Sequence, residues 1–174
     1  MKFGNIEKKL LLDADVIIHF CKAGSFLLLA TLYKNRLFVL DKVAAELRKH
    51  PVFHSELDRM IRTKLLTEID LPNRPEIILE FAKLTSKRSG AGESACMAYC
   101  RFHNDILASS NLRDIEEYCI KHGIEFKSTL DLVHELHQTN MLTRAECDTF
   151  IQDVIKKGSR LRYKTFQEYL DSLT

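Results

Sequence analysis

The sequence predicts a three-layer α/β fold, in which a central parallel sheet of about five strands lies between helices on both faces. Five short apolar runs alternate with longer segments of helical periodicity. The connections are long enough to contain helices, which parallel strands need in order to return the chain to the same end of the sheet. The chain has 174 residues, 45% of them hydrophobic, which suits one domain with a single core.

The predicted strands are short and largely free of polar side chains. The first, residues 10–12, consists of three leucines and leads directly into Asp13, Ala14 and Asp15, so it is predicted as a buried strand that ends in acids. The fourth ends in a polar Ser-Ser-Asn segment. The later strands are predicted at residues 37–40, 65–69, 105–108 and 124–126.

Glycine and proline residues mark the starts, breaks and ends of several predicted helices. A break is expected near Gly24, Asp41 is expected to cap a helix that Pro51 stops, Pro75 precedes another, and Gly123 ends a later one. The helices are predicted at residues 16–35, 41–49, 55–64, 76–85, 93–102, 112–122, 130–139, 143–156 and 165–172. Because no strand is predicted after residue 129, residues 1–140 are assigned to the α/β domain and 141–174 to a helical C-terminal extension packed on it.

The charge balance limits the way in which the chain can contact nucleic acid. Lys and Arg total 26 against 24 Asp and Glu, and a net charge of +2 is too small for a protein that coats nucleic acid by bulk attraction. Any such contact is therefore local. One basic cluster, Arg160, Arg162 and Lys164 interleaved with Leu161 and Tyr163, is suited to a phosphate backbone, although a solvated linker explains the same pattern.

Cysteine usage and hydropathy predict the compartment. Five cysteines, an odd number, are scattered along the chain, and the first residues lack the apolar core of a secretory signal. The longest apolar run, residues 26–30, is followed by Lys34 and Arg36 well before it reaches the length of about 20 residues that a bilayer requires. We therefore expect a reduced, cytoplasmic protein without a membrane segment.

Acidic side chains cluster where the predicted fold would place a ligand. Asp13 follows the first strand, Glu46 lies on the helix after the second, and Glu93 opens the helix before the fourth, directly after the glycine turn Ser89-Gly90-Ala91-Gly92. If the first and fourth strands are neighbours, these carboxylates converge on one cleft at the carboxyl edge of the sheet. Several ionised carboxylates coexist there only if a cation offsets their repulsion, which suggests a divalent metal site.

The ordered set of these motifs resembles the PIN domain family of metal-dependent ribonucleases. The similarity covers roughly residues 8–140, and the Gly-x-Gly-Glu-Ser-Ala run that contains Glu93 is its most specific part. It implies an acidic pocket that binds one or two Mg²⁺ or Mn²⁺ ions and hydrolysis of RNA phosphodiester bonds. It also implies single-stranded or structured RNA as substrate, and it suggests a toxin role with a small antitoxin protein as partner. A homodimer is a further expectation.

The resemblance assigns roles to individual residues. Asp13, Glu46 and Glu93 are implied as catalytic residues. Asp13 and Glu93 would hold the metal, while Glu46 would orient a water molecule or hold a second ion. Where the family usually has an aspartate after the fourth strand, this chain has Asn111, so Asn111 or Asp114 would complete the metal shell.

Neighbouring residues are assigned to the same pocket. Asp15 is a possible additional acid, ranked below Asp13, and Ser109 and Ser110 are possible polar members of the pocket wall. The basic residues Arg160, Arg162 and Lys164 described above are the candidates for RNA contact.

Structural roles explain several of these residues equally well. Asp13 or Asp15 can cap the helix that follows, and Glu93 in a first helical turn is favoured by the helix dipole without any metal. Glu46 alone is typical of a solvated helix surface, and Asn111 with Asp114 resembles a capping arrangement.

Two other functions remain open at this point. The run Leu-Leu-Leu-Asp13-Ala14-Asp15-Val16 also looks like the first motif of haloacid dehalogenase-like phosphatases, but their third acidic motif is missing after residue 111. A domain of the PIN type that has lost its fourth acid would instead be a catalytically impaired module that binds RNA or a protein.

Overall fold

A five-stranded, all-parallel sheet forms the centre of the protein in the computed structural model, which describes residues 7–87 and 90–174. The strand order is β3-β2-β1-β4-β5, and helices cover the sheet, so the predicted three-layer α/β class is confirmed. The strands are β1 (Leu10–Leu12), β2 (Leu37–Leu40), β3 (Thr67–Ile69), β4 (Ile106–Ala108) and β5 (Phe126–Lys127).

The strand order reverses between β1 and β4. From β1 the chain proceeds outward through β2 to β3, and then returns to add β4 and β5 on the opposite side of β1. β1 and β4 pair in register, with Leu12 opposite Ala108. Ligands of open parallel sheets bind at such a reversal, outside the carboxyl ends of the strands. Asp13 and Ser109, which directly follow the two strands, therefore lie where a ligand site is expected.

Ten helices are assigned within the described residues. α6 packs against α3, α5 and α7, while α9 packs against α1, α8 and α10. The helices are α1 (Ala14–Lys22), α2 (Phe26–Leu32), α3 (Asp41–Arg48), α4 (Pro51–Arg62), α5 (Pro75–Ser86), α6 (Ala91–Phe102), α7 (Leu112–His122), α8 (Thr129–Gln138), α9 (Arg144–Lys156) and α10 (Phe166–Asp171).

Two predicted helices, those at 41–49 and 55–64, differ from the structure in their N-cap or start, while the other predicted starts lie within two residues of the observed ones. Asp41 does not cap α3: Leu40 is the N-cap, and the Asp41 carboxylate instead accepts the backbone N–H of Leu71 at 3.0 Å. Pro51 begins α4 rather than only stopping α3, because the first turn of a helix needs no N–H at that position. The predicted helix 55–64 therefore starts earlier. The breaks at Gly24 and Gly123 are confirmed, and both residues have positive φ, 65° and 64°.

Helix α6 is the most deeply buried helix segment near the predicted site. Residues 92–100 are all buried, and most of them are small: glycine, serine, alanine and cysteine. Small side chains let the helix approach its neighbours closely from all sides. This burial carries Glu93, in the first turn of α6, into the interior of the protein.

The C-terminal helices pack onto the rest of the chain through aromatic residues. The rings of Phe20 on α1 and Phe150 on α9 meet edge to face with centroids 4.9 Å apart, and both side chains are buried. Phe166 on α10 is also fully buried. The five cysteines are all free thiols, four of them buried.

Within residues 7–87 and 90–174, no single helix is long and apolar enough to cross a membrane. Helices α1 and α2 reach the length and apolar composition of a span only together, and the chain bends by 118° at the break between them.

Candidate active site

Asp13 lies at the carboxyl end of β1, where it is both the N-cap of α1 and a neighbour of β4. Its Oδ1 accepts the N–H of Ala14 at 2.8 Å, and its Oδ2 accepts the Ser109 hydroxyl at 3.2 Å. The side chain is buried, which raises the pKa of Asp13 to about 7, and the nearby charge of Asp15 adds to the effect. The capping role proposed for Asp13 is therefore real, but it accounts for only one of the two carboxylate oxygens.

Asp15 also reaches the end of β4. Its Oδ2 accepts the backbone N–H of Ser110 at 2.9 Å, whereas Oδ1 is buried without a hydrogen-bond partner among the described residues. Burial raises the pKa of Asp15 to about 6, and the charge of Glu93 raises it further, against the lowering effect of the Ser110 N–H. The N-cap and the first turn of α1 thus supply two carboxylates, Asp13 and Asp15, to the strand reversal.

Glu93 enters the same region from the first turn of α6. One oxygen, Oε2, accepts the Asn111 amide at 3.2 Å, while Oε1 is buried without a partner among the described residues. Burial raises the pKa of Glu93 to about 7, and the charge of Asp13 is the next cause. Because each acid raises the pKa of another, Asp13, Asp15 and Glu93 form one electrostatically linked group.

Asn111 joins Glu93 to Asp114. It is the N-cap residue of α7, but its side chain makes no cap bond to that helix. Instead its Nδ2 donates to Glu93 and also to Asp114 Oδ2, the latter at 2.7 Å. The sequence predicts Asn111 as an oxygen ligand, whereas here its N–H groups face the acids, because a neutral donor between two carboxylates lowers their repulsion.

Glu46 approaches the site from α3 and contacts the N-terminus of α6. Its Oε1 accepts the backbone N–H of Gly92 at 2.8 Å, so it is not the solvated residue that its local sequence suggests. Gly92 is required by this approach: a Cβ at position 92 would lie 2.8 Å from Glu46 Oε2 and 3.0 Å from Val43 Cγ2. Glu46 is thereby fixed next to Glu93.

The acids do not form a finished metal site. Among residues 7–87 and 90–174, no three His, Cys, Asp or Glu side chains converge closely enough to hold an ion. Each carboxylate instead has neutral hydrogen-bond donors of its own. Asp13 accepts from Ala14 and Ser109, Asp15 from Ser110, Glu46 from Gly92, and Glu93 from Asn111. Like charges that lack a cation are more stable when they are separated and individually hydrogen-bonded.

The donor chemistry nevertheless fits a hard divalent cation. All the candidate ligands are oxygens, as Mg²⁺ and Mn²⁺ prefer, and Mg²⁺ usually takes only one or two protein carboxylates. Two buried oxygens without partners in the described chain, Asp15 Oδ1 and Glu93 Oε1, are the acceptors that such an ion would satisfy.

A second network of polar side chains contacts Ser110, whose N–H binds Asp15. The Thr129 hydroxyl contacts Ser110 Oγ at 2.5 Å and His19 Nδ1 at 2.9 Å, and the Thr129 N–H donates to Ser110 Oγ. Burial lowers the pKa of His19 to about 4, so the ring is neutral at pH 7. No local sequence pattern indicates a role for His19 or Thr129, because only the pairing of β4 with β5 brings Thr129 beside Ser110.

The predicted basic residues divide into two groups. Arg160 and Arg162 line a groove that begins at Ser110 and Asn111, whereas Lys164 does not line it. Arg160 and Arg162 are exposed.

A family model described as a PIN domain matches residues 9–174, and so includes the C-terminal helices. No curated protein and no solved structure matches the chain significantly.

Proposed function

The chain belongs to the PIN domain family, whose members are generally nucleases, and from this we propose that it is a ribonuclease that depends on Mg²⁺ or Mn²⁺. The observation that carries the proposal is the linked group of Asp13, Asp15 and Glu93, three carboxylates brought into one buried region at the strand reversal. Burial raises the pKa of each, so the ionised form of all three is unfavourable at neutral pH without a counter-charge.

Asp13 and Glu93 are proposed to hold the ion, with Asp15 as a third acid and Asn111 or Asp114 at the edge of the shell. A divalent ion bound there would polarise the scissile phosphate and lower the pKa of a water molecule. An ion on the partnerless Oε1 of Glu93 would leave the Asn111 bond to Oε2 in place, and a rotated Asn111 amide would add its oxygen to the shell.

The remaining residues position these acids. Ser109 donates to Asp13 and Ser110 holds Asp15, so the end of β4 fixes the two aspartates. Glu46 binds the Gly92 N–H with Oε1, and its Oε2 is proposed to orient the attacking water.

The experiment is a cleavage assay with purified protein and a labelled single-stranded RNA. We expect cleavage with Mg²⁺ or Mn²⁺, loss of cleavage in EDTA, and loss in Glu93→Gln, which keeps the shape and removes the charge. Glu117→Gln, at an exposed position on α7, is the matched control and should cut normally. Full activity in EDTA would refute the metal mechanism.

A readout without substrate tests the same site. Millimolar Mn²⁺ should raise the melting temperature of the wild type, since an ion that binds only the folded state at 100 times its Kd adds about 2.7 kcal/mol to the free energy of unfolding. Asp13→Asn should remove this response. An unchanged melting curve with excess Mn²⁺ would count strongly against the metal pocket.

The direction of the Asn111 amide favours a second candidate, a binding module that has lost its fourth acid. An amide N–H that faces Glu93 occupies the side of that carboxylate where a fourth acid would share an ion. If the wild type binds RNA without cutting it, and Asn111→Asp alone gives cleavage, the module is the correct description. Phosphatase activity on small phosphomonoesters, abolished by Asp13→Asn, would point to the haloacid dehalogenase-like mechanism.

The toxin role and the antitoxin partner are proposed on the family resemblance alone. Expression in bacteria should arrest growth, and Glu93→Gln should relieve the arrest. A neighbouring reading frame that encodes a small DNA-binding protein would support the pairing. Light scattering of the purified chain tests the proposed homodimer.

A further inference from the structure

A groove of about 550 Å³ opens directly beside the acids. It begins at Ser110 and Asn111, follows the N-terminus of α7, and continues along the segment 160–163 that precedes α10. Because Ser110 and Asn111 also contact Asp15 and Glu93, the groove and the acidic region share a wall. A polymer cut at the acids would therefore extend into this groove on one side of the cut.

The groove carries an excess of positive charge. Arg113, Arg160 and Arg162 line it, all three are exposed, and none forms an ion pair with any carboxylate in the described parts of the chain. Two acids, Glu116 and Asp131, also line it. Guanidinium groups that are free of carboxylate partners are suited to bidentate contact with phosphate.

Asp131 is already engaged by groups of the protein. One carboxylate oxygen accepts the Ser128 N–H at 2.6 Å at the start of α8, and the other accepts the Tyr169 hydroxyl at 2.6 Å. Its charge is thus partly satisfied by hydrogen bonds, which leaves Glu116 as the one lining carboxylate, among the described residues, without such a bond. Three arginines against two carboxylates give the groove lining a net formal charge of +1, and the arginines present it on exposed guanidinium groups.

An aromatic ring lies among these cations. Tyr163 lines the groove, the Arg162 guanidinium lies 5.4 Å from its ring centroid, and Tyr169 meets it edge to face at 6.0 Å. Alternating arginine and aromatic side chains are the usual components of a surface that binds phosphates and stacks bases.

The segment that carries these residues is anchored at its C-terminal end. Gln152 on α9 donates to the Lys164 carbonyl at 3.0 Å, and the Lys164 N–H donates to Glu168 at 2.9 Å. The Thr165 hydroxyl then caps α10. This bonding differs from the solvated linker that the same sequence suggests, and it holds Arg160, Arg162 and Tyr163 in a formed groove wall.

We propose that this groove binds the single-stranded RNA next to the scissile bond, with phosphates on Arg160, Arg162 and Arg113 and a base stacked on Tyr163. This inference rests on the proposed ribonuclease function and adds the form of its substrate. A duplex keeps its bases paired and stacked on each other, so Tyr163 would have no exposed base to bind.

Binding is tested first, without cleavage. A fluorescein-labelled 12-nucleotide oligouridine is titrated in EDTA into the Glu93→Gln protein, and its anisotropy is read. Adding Tyr163→Ala should weaken binding roughly 5- to 150-fold, the range for loss of one base stack. Adding Arg160→Gln with Arg162→Gln should weaken binding and reduce the salt dependence of log K by about 0.7 for each phosphate that the protein no longer neutralises.

Matched controls make the binding result specific. Lys34→Glu reverses a charge in the loop before β2, at the opposite edge of the sheet, and should leave the Kd within a factor of two. A 12-base-pair RNA duplex should bind more weakly than the single strand. Each variant should melt near its parent, since the side chains changed are exposed or half-buried. Equal binding by all variants, or tighter binding of the duplex, overturns the proposal.

Cleavage then separates failure of the groove from failure of the ribonuclease function. In a wild-type background that cuts RNA, the groove variants should raise KM for the 12-mer, and Lys34→Glu should leave both kcat and KM unchanged. If the wild type cuts nothing while the binding pattern holds, the groove stands and the enzyme proposal fails. If cleavage is normal and no groove variant affects binding or KM, the groove does not bind the substrate and the inference fails while the ribonuclease function stands.

Discussion

The Asn111 side-chain amide donates a hydrogen bond to the Glu93 carboxylate at 3.2 Å. The same nitrogen donates to Asp114 at 2.7 Å, so Asn111 is a neutral bridge between two acids. The family usually has a carboxylate in this part of the sequence, and a third negative charge would need a cation to remain there. Asn111 thus stabilises the metal-free protein, but it leaves the proposed metal site with one negatively charged ligand fewer than the family usually has.

Asn111→Asp should make the metal-free protein less stable and increase the stabilisation by a metal ion. Without metal, the loss of two charge-assisted hydrogen bonds and the added repulsion should lower the free energy of unfolding by about 1–3 kcal/mol at pH 8. With Mn²⁺, the gain in melting temperature should exceed that of the wild type, because the ion meets one more carboxylate. Melting in EDTA and in Mn²⁺ measures both. Asn73→Asp, at an exposed site, should change neither, and a metal response no larger than that of the wild type would contradict the assigned position.

Gly92→Ala tests the contact between α3 and α6. A methyl group at position 92 must displace Glu46 Oε2 and Val43, and this should cost about 1–3 kcal/mol. The usual gain of about 1 kcal/mol for alanine over glycine in a helix offsets part of that cost. Gly90, the N-cap of α6, has Glu46 Oε1 as its nearest neighbour at 3.9 Å, so Gly90→Ala should cost only the poorer capping by alanine.

Urea unfolding measures both glycine variants. Glu46→Ala combined with Gly92→Ala should recover part of the stability, because the crowded carboxylate is then absent. Purely additive effects of Glu46→Ala and Gly92→Ala would mean that the close approach of Glu46 is not present in solution.

The sequence predicts the strand ends well and the partners of the acids poorly. The position of Asp13 at the carboxyl edge of the sheet was predictable, because three leucines form a strand buried on both faces and the next residue must leave the sheet there. Glu93 was predictable because the run of small residues after it suits a buried helix.

Other features depend on contacts that local patterns do not contain. The partner of Glu46 is a backbone amide 46 residues away, which only the packing of α3 on α6 defines. The direction of the Asn111 amide depends on two carboxylates from different helices. Asp41 has the residue type of a cap, yet it bonds to Leu71 just after the neighbouring strand β3, because tertiary contacts outweigh local preference.

Thr129→Val tests the network behind Asp15. Valine has nearly the same shape, but it leaves His19 Nδ1 and the Ser110 hydroxyl without their shared partner in the interior, and this should cost about 1–3 kcal/mol. Thr149→Val, on the exposed face of α9, is the control and should stay within about 0.5 kcal/mol. If Ser110 positions Asp15, kcat for RNA cleavage should also fall in Thr129→Val, while Thr149→Val should retain wild-type activity.

The buried acids and His19 have opposite effects on stability as pH changes. The pKa of Asp13 and of Glu93 is raised to about 7, so between about pH 4 and 7 the unfolded chain releases protons that the folded chain retains, and stability falls as pH rises. The pKa of His19 is lowered to about 4, so between about pH 4 and 6.5 the unfolded chain holds the extra proton and stability rises with pH. A profile of the wild type alone therefore mixes the two effects.

Asp13→Asn isolates the acid effect, because His19 is present in both proteins and cancels in the difference. In EDTA, the variant should be about as stable as the wild type near pH 4, where Asp13 is neutral in the folded protein. Its advantage should then grow with pH and level off above pH 7 at about 1–4 kcal/mol, the order expected for a pKa raised from about 4 to about 7. Asp70→Asn, at an exposed site, should show no such trend. Urea unfolding at pH 4.5, 6 and 8 measures the difference, and a difference that is constant with pH would mean that Asp13 is not buried as a high-pKa acid in the metal-free protein.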